Sequence, residues 1–167
     1  MPILEWSDAL SLDLPLMDDT HREFVILLAA VSTAADAQLV IAWSGLIDHT
    51  DVHFAREDAW MAHTRFASSN CHSVQHKVIL EVMREGLAAG HAGDLGSVRV
   101  MAAELAIWFP QHAQTMDAAL ALHLRRTGFD PATGIVHAPD ALPPGFVLGC
   151  GGNGCSMPAP ESLPHAA

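Results

Sequence analysis

LVIAWSGLIDHTDVHFAREDAWM, residues 39–61, carries Leu39, Val40, Trp43, Leu46, Ile47, Thr50, His53, Phe54, Glu57, Trp60 and Met61 at steps of mostly three and four. Those steps put all of them on one face of a helix, and the face is long enough to need helical partners along its length. The pattern predicts a helix over 36–64, opened by Asp36. Two members of the face, His53 and Glu57, are four residues apart and therefore project together, one turn from each other. A small apolar interior does not hold an imidazole and a carboxylate unpaired, so the stretch raises a question of chemistry as well as of fold.

Three further helices are expected around it. Asp18 or Asp19 caps a first helix over 19–34, with Phe24, Val25, Leu27, Leu28 and Val31 as its stripe and His21 one turn earlier. Ser68, Ser69 and Asn70 offer caps for a third helix over 70–88, which carries His72 and His76 four residues apart, and Gly86, Gly90, Gly93 and Gly96 then mark a loop. A fourth helix over 97–126 is rich in Ala and Leu and closes on Arg125, Arg126 and Gly128. Pro110 lies inside it, two residues before His112, where a kink is expected. Residues 1–17 read as an extended arm, because Pro2 and Pro15 oppose helix while Leu4, Trp6, Leu10, Leu12 and Leu14 supply anchors. The fold class is all-α: an antiparallel up-down four-helix bundle over 1–130 with an N-terminal extended arm, then a Pro/Gly-rich C-terminal tail over 131–167 packed in part through Phe146, Val147 and Leu148.

Composition excludes several classes. Half the 167 residues are hydrophobic, so a formal charge of −11 does not signify disorder. Eight Lys and Arg against 19 Asp and Glu give no basic footprint for nucleic acid. No run reaches the length of a membrane span, and the start, MPILEWSDAL, lacks the basic and apolar regions of a secretory signal. Three cysteines form no CxxC pair, and the expected compartment is the cytoplasm. Cys71 reads as a small buried residue; Cys150 and Cys155, in CGGNGC, are read as structural or incidental, with a disulfide loop as the alternative.

A single His-x-x-x-Glu or His-x-x-x-His pair is weak evidence for a metal. Here, though, four helices deliver metal-capable side chains at comparable heights, and four-helix bundles are established hosts for carboxylate-bridged metal pairs. Spacing leaves two matters open. His49 lies four residues before His53 and is equally placed on the helix, and His112 and Asp117 are five apart, which an ideal α-helix would separate by about 140°. Asp58, beside Glu57, reads as a solvent-facing charge.

The sequence resembles the hemerythrin family, especially its bacterial single-domain members. Trp6 in the arm, DDTHREF around His21, HFARED from His53, HSVQH from His72 and WFPQHAQTMD through His112 and Asp117 carry the resemblance, which spans residues 1 to about 126. It implies that His72, His76 and His112 bind one iron, that His21 and His53 bind a second, and that Glu57 and Asp117 bridge the two together with an oxo or hydroxo group. The first iron is then six-coordinate and the second has one open position, where dioxygen binds. Phe54, Trp108 and Phe109 become candidate walls of a dry oxygen pocket. The family usually has a bulky isoleucine after the fourth-helix histidine; Ala113 stands there instead, which would enlarge the pocket or admit solvent.

The implied function is reversible dioxygen binding for transport, storage or delivery, and not catalysis. Imidazole-rich ligation stabilises a ferric pair less than carboxylate-rich ligation does, which favours reversibility over O–O cleavage. An oxygen or redox sensor acting through a protein partner, or an enzyme consuming peroxide or nitric oxide, are the alternatives. Ferritin-type sites rely on Glu-x-x-His elements and several glutamates, a pattern this chain lacks.

Overall fold

A computed structural model describes residues 4–66 and 71–145. The main elements are α1 (Pro15–Thr33), α2 (Asp36–His63), α3 (Cys71–His91), α4 (Leu95–His112), a π-helical turn (Ala113–Asp117) and α5 (Ala118–Arg126), the last three forming one continuous helical rod. Side-chain contacts fix the directions. Trp43 early in α2 donates to the Met83 carbonyl late in α3 at 2.9 Å, while Asp58 late in α2 meets His76 early in α3 at 3.0 Å. Arg99 at the start of α4 donates to the Ala34 carbonyl at the end of α1 at 3.0 Å, and Gln75 early in α3 meets His112 at the end of α4 at 3.2 Å. Neighbouring helices therefore run antiparallel, as expected.

The face read from residues 39–61 is buried at every position named except the half-buried Val40. Six of its seven apolar or aromatic buried members divide between two clusters, and the seventh, Phe54, lies between them. Phe24, Leu28, Leu39, Trp43, Leu46, Met83, Val98, Leu105 and Phe109 pack at one end, and Leu14, Met17, Trp60, Met61, Phe66, Leu120, Leu124 and Phe129 at the other. Between them, at the level of residues 21, 53–57, 72–76 and 112–117, lies a layer of buried imidazoles and carboxylates.

Several boundaries differ from expectation, each for a local reason. Pro15 does not oppose α1 but starts it, since the first turn needs no N–H from that residue. Asp18 is consequently inside α1 and caps nothing. Its buried carboxylate instead accepts the Ser11 hydroxyl and the Leu12 N–H, both at 2.7 Å, and so ties the arm to the bundle. The arm is not wholly extended, because Asp8–Leu10 form a 3-10 turn. The helix α3 continues through Gly86 and Gly90, which are buried within it. A Cβ at Gly86 would run into Met101 Sδ and lie 3.3 Å from Trp43, so the glycine makes room for these two side chains and does not mark a loop. Cys71 is partly buried and disulfide-bonded, not a buried free thiol.

The expected caps at Ser68, Ser69 and Asn70 lie outside the described residues, as do Phe146, Val147, Leu148, Cys150 and Cys155. Residues 131–145 are turns with a 3-10 segment, Pro139–Ala141, joined to the bundle by a Phe129–Val136 bridge. No helix among the described residues is long and apolar enough to cross a membrane.

The arm's attachment makes a prediction. Asp18→Ala leaves two donors without their acceptor, and losing those charge-assisted bonds is expected to destabilise the protein by about 1–3 kcal/mol. Denaturant unfolding measures the loss, and proteolysis at the arm should quicken in parallel. An unchanged midpoint would contradict the role given to this carboxylate.

Candidate metal centre

The buried polar layer consists of the seven residues His21, His53, Glu57, His72, His76, His112 and Asp117, all no more than 3% exposed. They fall into two sets that could each hold an ion: Glu57, His72, His76, His112 and Asp117 in one, and His21, His53, Glu57 and Asp117 in the other. The two carboxylates belong to both sets, and their oxygens divide accordingly. Glu57 Oε1 faces His53 Nε2 at 3.1 Å and His21 Nε2 at 3.7 Å, while Oε2 faces His76 at 3.4 Å and His72 at 3.6 Å. Asp117 repeats the division, with Oδ2 at 3.3 Å from His21 and Oδ1 at 2.9 Å from His72 and 3.1 Å from His112. Each carboxylate therefore sends one oxygen to each half, which is the arrangement of a bridge.

Asp117 reaches this position through the π-helical turn. The Ala118 N–H donates to the Ala113 carbonyl five residues back, so the chain gains one residue per turn here. The widened turn brings His112 and Asp117 to the same side despite their five-residue interval. Pro110 sits in a helix that continues past it, as expected, and the π-helical turn begins three residues further on.

The donor set also fits metal on a second count. Both ring nitrogens of His21 and of His72, Nδ1 of His53, Oε2 of Glu57 and both oxygens of Asp117 are buried without an aligned hydrogen-bond partner among the described residues. Native interiors leave few polar atoms in that state, and a cluster of them converging on one another calls for a cation.

A family model, Hemerythrin HHE cation binding domain, matches residues 12–122. The chain belongs to the hemerythrin family. It is also 38% identical over 130 residues to a Bacteriohemerythrin of Ralstonia nicotianae, a match covering 78% of this chain and 95% of that protein. No solved structure matches it significantly.

The hemerythrin-family resemblance selected the same seven residues that the structure brings together; spacing could not choose between His49 and His53, and geometry does. His49 lies outside the cluster, its Nε2 3.1 Å from the Thr20 carbonyl and its Nδ1 3.7 Å from Glu23. Two residues were missed. Asp58 turns inward to His76 Nδ1 at 3.0 Å, and Gln75 reaches His112 Nδ1 at 3.2 Å. The available signal was adjacency to a ligand on a helix facing another ligand-bearing helix, which is where an outer hydrogen-bond partner has to stand.

Aromatic rings enclose the layer unequally. Phe54 stacks on His76 at 3.9 Å and Trp108 on His112 at 4.4 Å, both beside the five-residue set. Phe109 meets His21 edge-on at 5.2 Å and is backed by Phe24, stacked on it at 4.4 Å, so this pair borders the four-residue set. Phe24 had been read only as part of a helix stripe. Ala113 is fully buried.

Without metal, protons take its place. Burial works against charge on His21 and His72, but the Asp117 and Glu57 carboxylates outweigh it and raise them from 6.5 to about 10 and about 9. Burial also pushes Glu57 and Asp117 upward. For Glu57 the neighbouring Asp117 adds to that push, yet His53 and His21 hold it well below the carboxylate range; His112, His21 and His72 do the same for Asp117. At pH 7 the metal-free layer thus pairs two carboxylates with two imidazolium rings, His21 and His72.

The consequence has a definite sign. The raised histidines contribute stability fully below their unfolded value of 6.5 and lose it as pH rises through about 9 and 10. The depressed carboxylates contribute above their unfolded values, 4.5 and 3.8, and lose it on acidification. The metal-free protein is therefore expected to melt progressively lower above pH 6.5, whereas the loaded protein, its histidines already deprotonated, does not. Metal uptake at pH 7 should release at least two protons, one each from His21 and His72, with any lost by the water that becomes the bridge added to them. Calorimetry in buffers of different ionisation enthalpy counts them; zero would contradict this charge assignment.

Proposed function

We propose that the chain binds dioxygen reversibly at a pair of iron ions held by these seven residues with an oxo or hydroxo bridge, and serves to carry, store or deliver it. The observation that supports this most strongly is the inequality of the two donor sets around shared carboxylates. His72, His76 and His112 with one oxygen each from Glu57 and Asp117 supply five protein donors; His21 and His53 with the other two oxygens supply four. With one solvent-derived bridge, an ion held by the five-donor set would be saturated and one held by the four-donor set would keep a position for an external ligand. A ferrous pair bound there supplies two electrons and that single vacancy, which together suit it to dioxygen.

The chain's own residues determine whether uptake is reversible. Five imidazoles against two carboxylates limit the anionic charge that would lock the ions in the ferric state. Phe109 and Phe24 cover the four-donor half and keep water and anions from the vacant position. Phe54 and Trp108 hold His76 and His112 in plane on the saturated half. Ala113, inside the core beside this layer, completes the proposed oxygen pocket.

Anaerobic reduction followed by addition of dioxygen should produce a visible ligand-to-iron charge-transfer band. Removing the gas should return the colourless reduced protein, with full recovery over repeated cycles. Immediate and irreversible oxidation, with no recoverable coloured form, would contradict reversible binding and favour catalysis or sensing.

A further inference from the structure

We propose that Asp58 and Gln75 are positioning residues that brace the saturated half of the centre alone, and that the Asp58 carboxylate makes the His76 side the more electron-rich. The proposal rests on the seven-residue metal centre and concerns how its two halves are made to differ.

The bracing follows a pattern. Asp58 is next to the bridging Glu57 on α2 and reaches across to His76 on α3; Gln75 is next to His76 on α3 and reaches across to His112 on α4. Each helix thus uses the neighbour of its own ligand to hold a ligand on the following helix. In both contacts the imidazole Nδ1–H donates to a side-chain oxygen. That fixes the tautomer, leaving the lone pair on Nε2, the atom aimed at the layer: His76 Nε2 lies 3.4 Å from Glu57 Oε2 and 3.3 Å from His112 Nε2. The same two rings are the stacked ones, on Phe54 and Trp108. Tilt is held by an aromatic face and rotation by a hydrogen bond.

The other half has neither device. The Nδ1 atoms of His21 and His53 are buried without a partner among the described residues, so that neither ligand of this half is braced, whereas in the five-donor half only His72 lacks an Nδ1 partner. His21 has an edge contact with Phe109 and His53 a tilted one with Phe54, at 5.2 Å in each case. No hydrogen bond at Nδ1 resists rotation of either ring, and the 3.1 Å contact of His53 with Glu57 is made through Nε2. The half with the external position is therefore the more compliant one, and its ion should leave first.

The two braces differ in kind. Gln75 offers a neutral amide oxygen, so it orients His112 and adds little charge. Asp58 offers a carboxylate oxygen, so it both orients His76 and gives the ring anionic character. A more basic imidazole stabilises the ferric state of the ion it binds and lowers the potential of that ion.

Substitutions separate orientation from charge. Asp58→Asn retains an acceptor oxygen and removes the charge; Asp58→Ala removes both. In iron-reconstituted protein, Asp58→Asn is expected to raise the midpoint potential in a mediated titration while changing release of iron to a ferrous chelator by less than threefold. Asp58→Ala is expected to raise the potential similarly and to release iron at least about tenfold faster. If Asp58→Ala does not fold, Gln75→Ala takes its place in the release assay with the same tenfold expectation. An unchanged potential in Asp58→Asn, or a wild-type release rate in the alanine variant, overturns the proposal. Wild-type protein that takes up fewer than two ions contradicts the metal centre itself, a result read before either variant is compared.

Discussion

Glu57→Ala is expected to reduce the metal content from two ions per chain to at most one and to abolish dioxygen uptake. Both effects follow from the position of one carboxylate. Glu57 Oε1 lies toward His21 and His53 and Oε2 toward His72 and His76, so its loss removes a donor from both halves and leaves the weaker half with three residues. The charge balance fails at the same time. The variant has a single buried carboxylate, Asp117, to face five imidazoles, and breaking up a buried ionic cluster in this way destabilises by about 3–5 kcal/mol. Glu57→Gln keeps the volume and should lose the second metal with a smaller fall in stability. Elemental analysis and thermal unfolding read the two effects separately. Retention of two ions by Glu57→Ala would show that Asp117 alone can bridge, against the geometry described above.

Phe109→Ala is expected to have the second largest effect, on stability and on reversibility together. The ring is 1% exposed, stacks on Phe24 at 4.4 Å and meets His21 edge-on at 5.2 Å. Truncating such a side chain destabilises by about 3–5 kcal/mol, the spread reflecting how far Phe24 can collapse into the space. Whatever space remains adjoins the half of the centre with the vacant position. Water or anions entering it should speed irreversible oxidation about tenfold or more, while iron content stays at two per chain. Val31→Ala, in the same apolar cluster but away from the ligands, is the control: it should lose stability without changing the oxidation rate. Equal oxidation rates in the Phe109 and Val31 variants would contradict the wall assigned to Phe109.

The bundle was legible because its pattern is redundant. Along residues 39–61 one period is repeated over many side chains, and ten of its eleven named positions are buried. Helix ends were less legible, since each depends on a single local contact. Pro15 could break a helix or begin one, and Asp18 could cap α1 or hold the arm; only the contacts to Ser11 and Leu12 decide. The glycines of α3 were misread for a related reason. Gly86 sits where Met101 of α4 and Trp43 of α2 crowd the α3 backbone, which no local pattern in α3 records.

The metal ligands were legible only in part from spacing. His53 with Glu57 and His72 with His76 follow helical geometry, whereas Asp117 does not, because a π-helical turn cannot be read from an α-helical period. Family resemblance selected Asp117, and the structure supplies the physical reason. Asp58 was assigned to solvent because it is charged and adjoins a buried ligand. The partner that turns it inward, His76, sits eighteen residues further along on another helix. Ala113 was singled out because the family usually has a bulky isoleucine there, and it is fully buried beside His112.

The central claim is that two iron ions are held inequivalently, one by five protein donors and one by four. Mössbauer spectroscopy of iron-57-reconstituted protein, paired with elemental analysis of the same sample, tests it most directly. Two irons per chain are expected, giving two quadrupole doublets of equal area in the oxygenated form, where only one ion carries the external ligand. One iron per fully helical chain, or zinc retained through iron reconstitution, would contradict the account.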